Sequence, residues 1–283
     1  MDAPAHLEVD VCNCSMCARS GFRHLIVTAG QFRLLSGRDS LMTYSFNTRA
    51  ARHLFCSVCG IKSFYVPRSN TDGFSVNVNC LDPGTVTGTT QRNVDGRNWE
   101  AQYARSRVAD ELASIAPLDD VEREHLADAR SWVASGAQLY RVEKPATPPK
   151  HLVSYFAVMD GEHILLVDHR NAGLWLPSGG HVEPEEDPRL TVVRELREEL
   201  GLDIDQGSVG PPIMVTVTST VGETAGHTDV SLWYAVQGNR ESPVTFDSTE
   251  FHSVQWFAFS DVPLQSSDPH LGRFLRKCRA RRA

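Results

Sequence analysis

The chain of 283 residues carries a formal net charge of −7, and 41 % of its residues are hydrophobic and 22 % are charged. This length predicts two domains, and the composition is typical of soluble globular proteins. The acidic balance argues against a protein that coats nucleic acid, so we expect no stable nucleic-acid binding. No signal peptide is visible, and no apolar run approaches the about 20 residues that span a bilayer, so we expect a cytoplasmic protein without a membrane partner.

The first predicted domain, residues 1–103, is mostly β. Its short predicted strands are separated by Gly, Asn, Asp and Pro and lie at 24–28, 41–46, 61–66 and 74–78. Residues 104–149 are predicted to be a helical lead-in, in which a break at Pro117 separates two helices. It ends in a proline-rich connector at 144–150, which we expect to be stiff and extended.

Residues 150–283 are predicted to form the second domain, an α/β/α sandwich. The predicted helices lie at 187–200 and 268–279. The predicted strands lie at 151–159, 163–168, 213–220, 228–236 and 253–259. A central helix among strands is typical of a sheet covered by helices.

The segment from Gly180 to Leu202 reads GHVEPEEDPRLTVVRELREELGL and carries the strongest chemical signal in the chain. Asp187 and Pro188 suit the first turn of a helix, and Gly201 suits its C-terminal end. The apolar residues expected to face the core are Leu190, Val193, Leu196 and Leu200.

Three glutamates of this helix, Glu195, Glu198 and Glu199, are spaced i, i+3 and i+4, so their carboxylates are expected to share a different face. Clustered carboxylates repel one another unless a cation lies between them. Hard oxygen ligands suit Mg²⁺ or Mn²⁺, so we predict a divalent metal site here.

The same segment fits the pattern G-x5-E-x7-R-E-U-x-E-E-x-G-U at all nine fixed positions, U being a bulky aliphatic residue, and it resembles the Nudix hydrolase family. The resemblance implies a Mg²⁺-dependent (or Mn²⁺-dependent) hydrolase that cleaves a diphosphate linkage in a nucleotide or a related small molecule. It implies Glu195, Glu198 and Glu199 as metal ligands. The backbone carbonyl of Gly179, just before the motif glycine Gly180, is implied to join them.

The catalytic residues that the resemblance implies are Glu186, Arg194, Glu198, Glu199 and Glu250. Arg194 is expected to orient a carboxylate of the motif rather than to touch substrate. The general base stays open between a helix glutamate, Glu198 or Glu199, and Glu250 on a later loop.

The motif does not define the substrate, because specificity lies in the surrounding loops. The aromatic residues that are candidates for stacking on a nucleobase are Tyr155, Phe156, Trp175 and Trp233, although such residues are more often core. His227 and Asp229 are candidates for approaching the substrate, and the alternative is that they are polar residues at a strand edge.

Five of the seven cysteines fall in two clusters, Cys12, Cys14 and Cys17, then Cys56 and Cys59. In a reducing compartment such clusters indicate metal rather than disulfides, and we predict Zn²⁺. The spacing alone predicts a closed, structural four-cysteine zinc ribbon built from the two C-x2-C pairs.

The residues around these cysteines read CNCSMC, FCSVCG and VNVNCLD, and over about residues 1–100 they resemble the glutathione-dependent formaldehyde-activating (Gfa-like) family. The resemblance implies that Cys12, Cys14 and Cys17 hold a zinc with an open position for a thiol such as glutathione. It implies that Cys56 and Cys59 belong to a second, structural zinc. The family's first C-x-C has no counterpart before Cys12, so this domain is expected to be truncated.

Three functions fit the whole chain. The first is a Nudix hydrolase with an appended zinc-binding domain. The second is a bifunctional protein whose N-terminal domain adds a zinc-dependent carbon–sulfur lyase activity on thiol adducts. The third is a non-catalytic nucleotide sensor, and the complete carboxylate set argues against it.

Overall fold

The chain folds into two compact units, Met1–Glu100 and Ala101–Ala283. The computed structural model describes residues 1–46, 49–144, 146–184, 186–220 and 226–281, without the side chain of Glu100. The two-domain layout expected from the length is therefore confirmed. Within those ranges, no helix combines the length and the apolar character that crossing a membrane requires.

The N-terminal unit is mostly β, as predicted, and its described strands form a seven-stranded sheet in the order β3-β4-β5-β6-β2-β1-β7. The strands are β1 (His6–Cys12), β2 (Arg23–Thr28), β3 (Leu41–Tyr44), β4 (Arg52–Cys56), β5 (Phe64–Val66), β6 (Gly73–Asn77) and β7 (Gly88–Val94). A short helix, α1 (Ser15–Ser20), follows β1. Only the β1–β7 pairing among these strands is parallel.

Sequence analysis did not predict β1, α1, β4 or β7. The strand β7 reads GTTQRNV and lies at the edge of the sheet, so it carries no alternation of apolar residues that would mark it. By contrast, Leu7 and Val9 of β1 alternate with polar residues and are buried, which is a signal that the sequence does contain.

The C-terminal unit begins with the two helices expected on either side of Pro117, α2 (Trp99–Ala113) and α3 (Asp120–Ala134). The helix α2 starts earlier than the change of composition near residue 104. Asp119 caps α3, because its carboxylate accepts a hydrogen bond from the Glu122 N–H at 3.0 Å. The motif helix is α4 (Pro188–Leu200), and the last helix is α5 (Leu271–Ala280).

The described strands of this unit form a second sheet in the order β10-β9-β8-β13-β12, with β11 paired to β8 and β14 paired to β9. They are β8 (Lys150–Asp160), β9 (His163–His169), β10 (Leu174–Leu176), β11 (Ser178–His181), β12 (Met214–Ser219), β13 (Thr228–Gln237) and β14 (Phe251–Ala258). The central pair β8–β13 is parallel over its whole length.

Helices pack on both faces of this sheet. Successive residues of a strand point to opposite faces, so Phe156 and Val158 lie in a core with α2, α3 and α4, whereas Ala157 and Met159 lie in another with α5. The long strand β8 is therefore buried on both sides, which explains its nearly continuous apolar sequence.

The proline-rich segment is not the extended connector that we expected. The Val142 N–H donates to the Thr147 carbonyl at 2.8 Å, and the Thr147 N–H donates to the Glu143 carbonyl at 3.1 Å, which closes a turn. Within the segment, Thr147 keeps its N–H group and its carbonyl, and both form hydrogen bonds to the backbone that precedes the segment. Pro145 lies outside the described residues.

The buried face of α4 also differs from the prediction. Leu190 is 41 % exposed and Val193 is half-buried, whereas Val192, Leu196 and Leu200 are completely buried. The last three residues are spaced four apart and form one row along the helix. Glu195 and Glu199 lie beside this row and are buried with it, and so two of the three carboxylates do not occupy a separate polar face.

Candidate functional site

The position of α4 is fixed at both ends. The Asp187 carboxylate accepts a hydrogen bond from the Arg189 N–H at 2.9 Å, and Pro188 occupies the first turn. At the other end Gly201 has a φ of 62°, a left-handed conformation that glycine adopts without strain, and its N–H bonds back to the carbonyl of Arg197. Side chains of this helix are thus held at defined places.

The strand β11 passes directly beneath α4. A Cβ atom at Gly180 would overlap the Glu195 carboxylate, and one at Gly179 would lie 2.8 Å from the Ser154 carbonyl oxygen. Both positions therefore require glycine, because the backbone of β11 must approach α4 on one side and β8 on the other. This close approach places the Gly180 backbone beside the buried Glu195.

Arg194 lies among the carboxylates of the motif. Its Nε is 3.1 Å from Glu186 Oε1, and its Nη1 is 2.6 Å from Glu195 Oε1 and 3.4 Å from Glu198 Oε2. Its Nη2 also donates to the His181 carbonyl at 3.2 Å. Arg194 thus contacts three glutamates at once, an arrangement that supports the orienting role we predicted for it.

Glu186 receives hydrogen bonds from two further groups, the Thr191 hydroxyl at 2.7 Å and the Glu183 N–H at 3.1 Å. Burial acts to raise the pKa of Glu186, but the hydrogen bonds from Arg194 and Thr191 outweigh it, and the pKa is lowered. Glu186 is therefore an ionised anchor for Arg194 at neutral pH.

Glu199 and Glu250 meet in this site, although they are distant in sequence. The Ser178 hydroxyl donates to Glu199 Oε2, and the Glu250 carboxyl lies close enough to raise the pKa of Glu199. Glu250 lies just before β14, and its carbonyl accepts a hydrogen bond from the Arg170 N–H at 3.0 Å. The structure thus brings the loop glutamate to the helix glutamates.

The electrostatics of these groups favour a bound cation. Burial raises the pKa of Glu199 to about 8, the charges of Glu195 and Glu250 add to the effect, and the Ser178 hydroxyl opposes it. Burial likewise raises the pKa of Glu195, although the Arg194 guanidinium opposes this. Glu198 differs, because 60 % of its side chain is exposed. Two buried carboxylates and one open carboxylate form a donor set that a hard dication would stabilise.

The aromatic candidates for base stacking lie mainly in the core. Phe156 and Trp233 are completely buried, and the Trp233 indole N–H donates to the Thr216 hydroxyl at 2.9 Å. Tyr155 packs edge-on against Trp233, and Trp175 packs edge-on against Phe257. Phe156 and Trp233 are thus unavailable to a nucleobase, and the core interpretation holds for both.

His227 and Asp229, which the sequence marked only as candidates, belong to a cluster with His151 and His181. Sequence reasoning missed the latter two, because their positions share no motif spacing with the others. Burial, and then the positive charge of Arg141, lower the pKa of His181 to about 3, so this imidazole is neutral at pH 7.

In the N-terminal unit, Cys12 and Cys17 lie close to His24, with one ligand atom of each within 4.8 Å of the others. Cys14 lies between the two cysteines: its N–H donates to Cys12 Sγ at 3.4 Å, and its Sγ accepts from the Cys17 N–H at 3.4 Å. His24 was not predicted. It comes from β2, which pairs with β1 so that His24 faces Asp10.

This thiol cluster lines a cavity of about 860 Å³. Four arginines also line the cavity, namely Arg19, Arg68, Arg92 and Arg97. His24 Nδ1 is 3.0 Å from the Ser75 hydroxyl, whereas its Nε2 has no hydrogen-bond partner among the described residues. Thiols and a free imidazole nitrogen at a cavity wall are a donor set that suits zinc.

Cys56 and Cys59 lie outside this cluster. They occupy a tight turn in which the Gly60 N–H bonds to the Cys56 carbonyl at 2.8 Å, and Cys80 lies near Cys59. Within the described ranges, neither cysteine joins a group of three or more potential ligands. The structure therefore does not bring the two C-x2-C pairs together, and the zinc role of Cys56 and Cys59 stays a prediction.

Two protein-family models match separate parts of the chain. Residues 149–278 match the model of the NUDIX domain, and residues 1–96 match that of the glutathione-dependent formaldehyde-activating enzyme. Over 36 residues the chain is 58 % identical to the CTP pyrophosphohydrolase of Escherichia coli. The matched stretch is 13 % of this chain and only 27 % of that protein.

Two further likenesses are longer but weaker. Over 121 residues the chain is 26 % identical to an uncharacterised Nudix hydrolase of Bacillus subtilis, covering 41 % of this chain and 73 % of that protein. The crystal structure of a MutT NUDIX hydrolase from Burkholderia pseudomallei is 23 % identical over 44 % of this chain and 95 % of that one, with a TM-score of 0.36.

The family identification therefore rests on the two domain models and on the motifs within them. The nine-position pattern lies inside the first matched range, and the cysteine triad lies inside the second. The chain joins a domain of the glutathione-dependent formaldehyde-activating enzyme family at residues 1–96 to a Nudix domain at residues 149–278.

Proposed function

We propose that the Nudix domain is a Mg²⁺-dependent hydrolase that cleaves a diphosphate linkage in a nucleoside-diphosphate-type substrate. The observation that carries this proposal is the meeting of Glu195, Glu198, Glu199 and Glu250 at one site beside Arg194. Membership of the Nudix family supports the choice of a phosphoanhydride bond.

The helix glutamates Glu195, Glu198 and Glu199 would hold the metal, and the Gly179 carbonyl lies on the adjacent strand β11. Mg²⁺ bound to such ligands neutralises charge on a diphosphate and lowers the pKa of a bound water. Mn²⁺ suits the same oxygen ligands. The raised pKa values of Glu195 and Glu199 support this assignment, since burial and then the neighbouring carboxylates disfavour their ionised forms, and a dication would stabilise those forms.

The chain's own groups have separate tasks in this proposal. Arg194 holds Glu186 and Glu195 in register, and the Ser178 hydroxyl holds Glu199. Glu198 is open to solvent and faces incoming substrate. Glu250 approaches from a different element and acts as the general base, taking a proton from the attacking water.

The substrate class is a nucleotide or a related small diphosphate. The partial likeness to the CTP pyrophosphohydrolase of Escherichia coli makes CTP a first compound to test. The arrangement of the site supports recognition of the diphosphate through metal rather than through a buried aromatic clamp.

A panel of nucleoside diphosphate and triphosphate derivatives, including CTP, tests the hydrolase. With Mg²⁺ the protein is expected to release a nucleoside monophosphate from at least one compound, and excess EDTA is expected to abolish the release. Glu198→Gln is expected to reduce turnover by at least about 10²-fold. The exposed Glu241 provides the control Glu241→Gln, which should keep wild-type activity. Tight binding of one compound without any turnover would favour a nucleotide sensor.

A second activity is favoured by the cavity of the N-terminal unit. There the domain would act as a zinc-dependent carbon–sulfur lyase on thiol adducts, with the zinc on Cys12, Cys14 and Cys17 or with His24 among the ligands. The arginines that line the cavity suit an acidic thiol such as glutathione.

Cobalt substitution tests this second activity. In the Co²⁺-loaded full chain, added glutathione is expected to change the thiolate-to-metal absorption, and Cys12→Ser is expected to remove that response. Cys59→Ser, at an exposed position outside the cluster, should leave it intact. A bound metal that is indifferent to thiol would instead indicate a closed structural site.

A further inference from the structure

Four side chains of the C-terminal unit form a group outside the carboxylate site, and we refer to His151, His181, His227 and Asp229 as the histidine cluster. Each offers one ligand atom, and the four atoms lie within 4.8 Å of one another. Strand pairing assembles them: His151 on β8 faces Asp229 on the parallel strand β13, and His181 ends β11, which also pairs with β8.

Two distances within the cluster have the length of an edge of a metal tetrahedron. His151 Nε2 and His227 Nε2 each lie 3.4 Å from Asp229 Oδ1. With metal–nitrogen distances of about 2.0–2.1 Å, two ligands of a tetrahedral zinc are about 3.3–3.4 Å apart. These contacts are not hydrogen bonds. Neither His151 Nε2 nor Asp229 Oδ1 has a hydrogen-bond partner among the described residues.

In His151 and His227, the ring nitrogen that is not turned to Asp229 already has a hydrogen-bond partner. His151 Nδ1 lies 2.8 Å from the Pro148 carbonyl, which only accepts, so Nδ1 carries the proton and Nε2 presents a lone pair to the cluster. His227 Nδ1 lies 3.2 Å from the Thr220 hydroxyl. Metal-binding histidines are oriented in this way by bonds to the other ring nitrogen.

The unpaired Nε2 of His151 destabilises the fold, because this nitrogen is buried. The side chain is completely buried, and a buried polar atom without a partner is destabilising. A metal ion would satisfy this nitrogen and the Asp229 oxygen together.

One cation already lies at the cluster. Arg141 Nη1 is 3.1 Å from His181 Nε2, and the charge of Asp229 acts on Arg141. Arg141 is therefore a competitor that a metal must displace from His181, or tolerate beside it. On the other side, Arg194 reaches the His181 carbonyl, so the cluster borders the Nudix motif.

We propose that the histidine cluster binds a transition-metal dication of the zinc type, at a site separate from the carboxylates of α4. Imidazole nitrogen suits zinc, cobalt and nickel, whereas magnesium prefers oxygen ligands and keeps its waters. This site does not depend on the hydrolase activity proposed above.

Metal titration of the chelator-treated full chain tests the site. Zn²⁺ is titrated against a chromophoric chelator in the wild type, Asp229→Asn and His151→Gln, and the equivalents bound are compared. The N-terminal cysteines contribute equally to all three proteins, so the difference reports the histidine cluster alone. Each variant is expected to lose one equivalent or to bind it at least about 100-fold more weakly. His163→Gln, at a half-buried histidine of the same domain, should keep the wild-type number.

Two further measurements keep the test decisive if His151→Gln does not fold. Asp229→Asn preserves shape at a partly exposed position, and Arg141→Met is expected to tighten Zn²⁺ binding by about tenfold because it removes the competing cation. The Co²⁺ spectrum of the wild type minus that of Asp229→Asn should show visible bands without thiolate charge transfer, because the cysteine site contributes equally to both proteins. Equal zinc equivalents bound with equal affinity in the wild type and a folded Asp229→Asn would overturn the proposal.

Discussion

Glu250→Gln is expected to slow turnover of the best nucleotide by about 10³-fold without changing the Mg²⁺ concentration that gives half-maximal activity. The reason is its position. Glu250 comes from the loop before β14, is held by the Arg170 N–H, and meets the buried Glu199. It contributes a carboxylate from outside the helix that would hold the metal.

The Mg²⁺ concentration that each variant requires distinguishes a general base from a metal ligand. Glu198→Gln and Glu199→Gln are expected to raise the Mg²⁺ requirement, because each removes a carboxylate from the donor set. A large loss in Glu198→Gln with an unchanged Mg²⁺ requirement would place the base on the helix instead.

Lys277→Met is expected to lower the free energy of unfolding of the C-terminal unit by about 3–5 kcal/mol. Lys277 forms an ion pair with Glu122 and donates to the Ala116 carbonyl at 2.7 Å. The Glu122 side chain is completely buried, and its second oxygen accepts from the Leu118 N–H at 2.7 Å. Removing the lysine leaves a buried carboxylate without its cation.

The double variant Lys277→Met/Glu122→Gln tests this explanation, because it removes the stranded charge and should recover most of the lost stability. Lys150→Met is the matched control. Lys150 pairs with Asp128 at 2.8 Å, but the Asp128 side chain is 52 % exposed, so a loss of at most about 1 kcal/mol is expected. Chemical denaturation of each protein measures the difference, and equal losses for both lysines would contradict the prediction.

Local signals were sufficient to predict α4. The Asp187 cap, Pro188 and Gly201 act within one turn of the helix ends, so the predicted and observed bounds nearly coincide. The buried face was harder, because which of Leu190 and Val192 faces inward depends on the strands that pack against the helix.

Contacts between distant segments could not be predicted in this way. Glu250 meets Glu199 only because β14 pairs with β9, and no spacing in the sequence encodes that pairing. The same holds for His24, which joins the cysteines through the β1–β2 pairing, and for His151 and His181. The sequence indicated the chemistry of each residue, but it did not indicate which distant residues each one contacts.

The short strand β11 serves both sites of the C-terminal unit. Ser178 holds Glu199, Gly179 and Gly180 permit the close approach to β8 and α4, and His181 enters the histidine cluster. The first and last residues of a four-residue strand are only about 10 Å apart. The metal proposed at His181 and the hydrolysis proposed at Glu199 would therefore share one short strand, and we expect a displacement of the backbone at one site to shift the other.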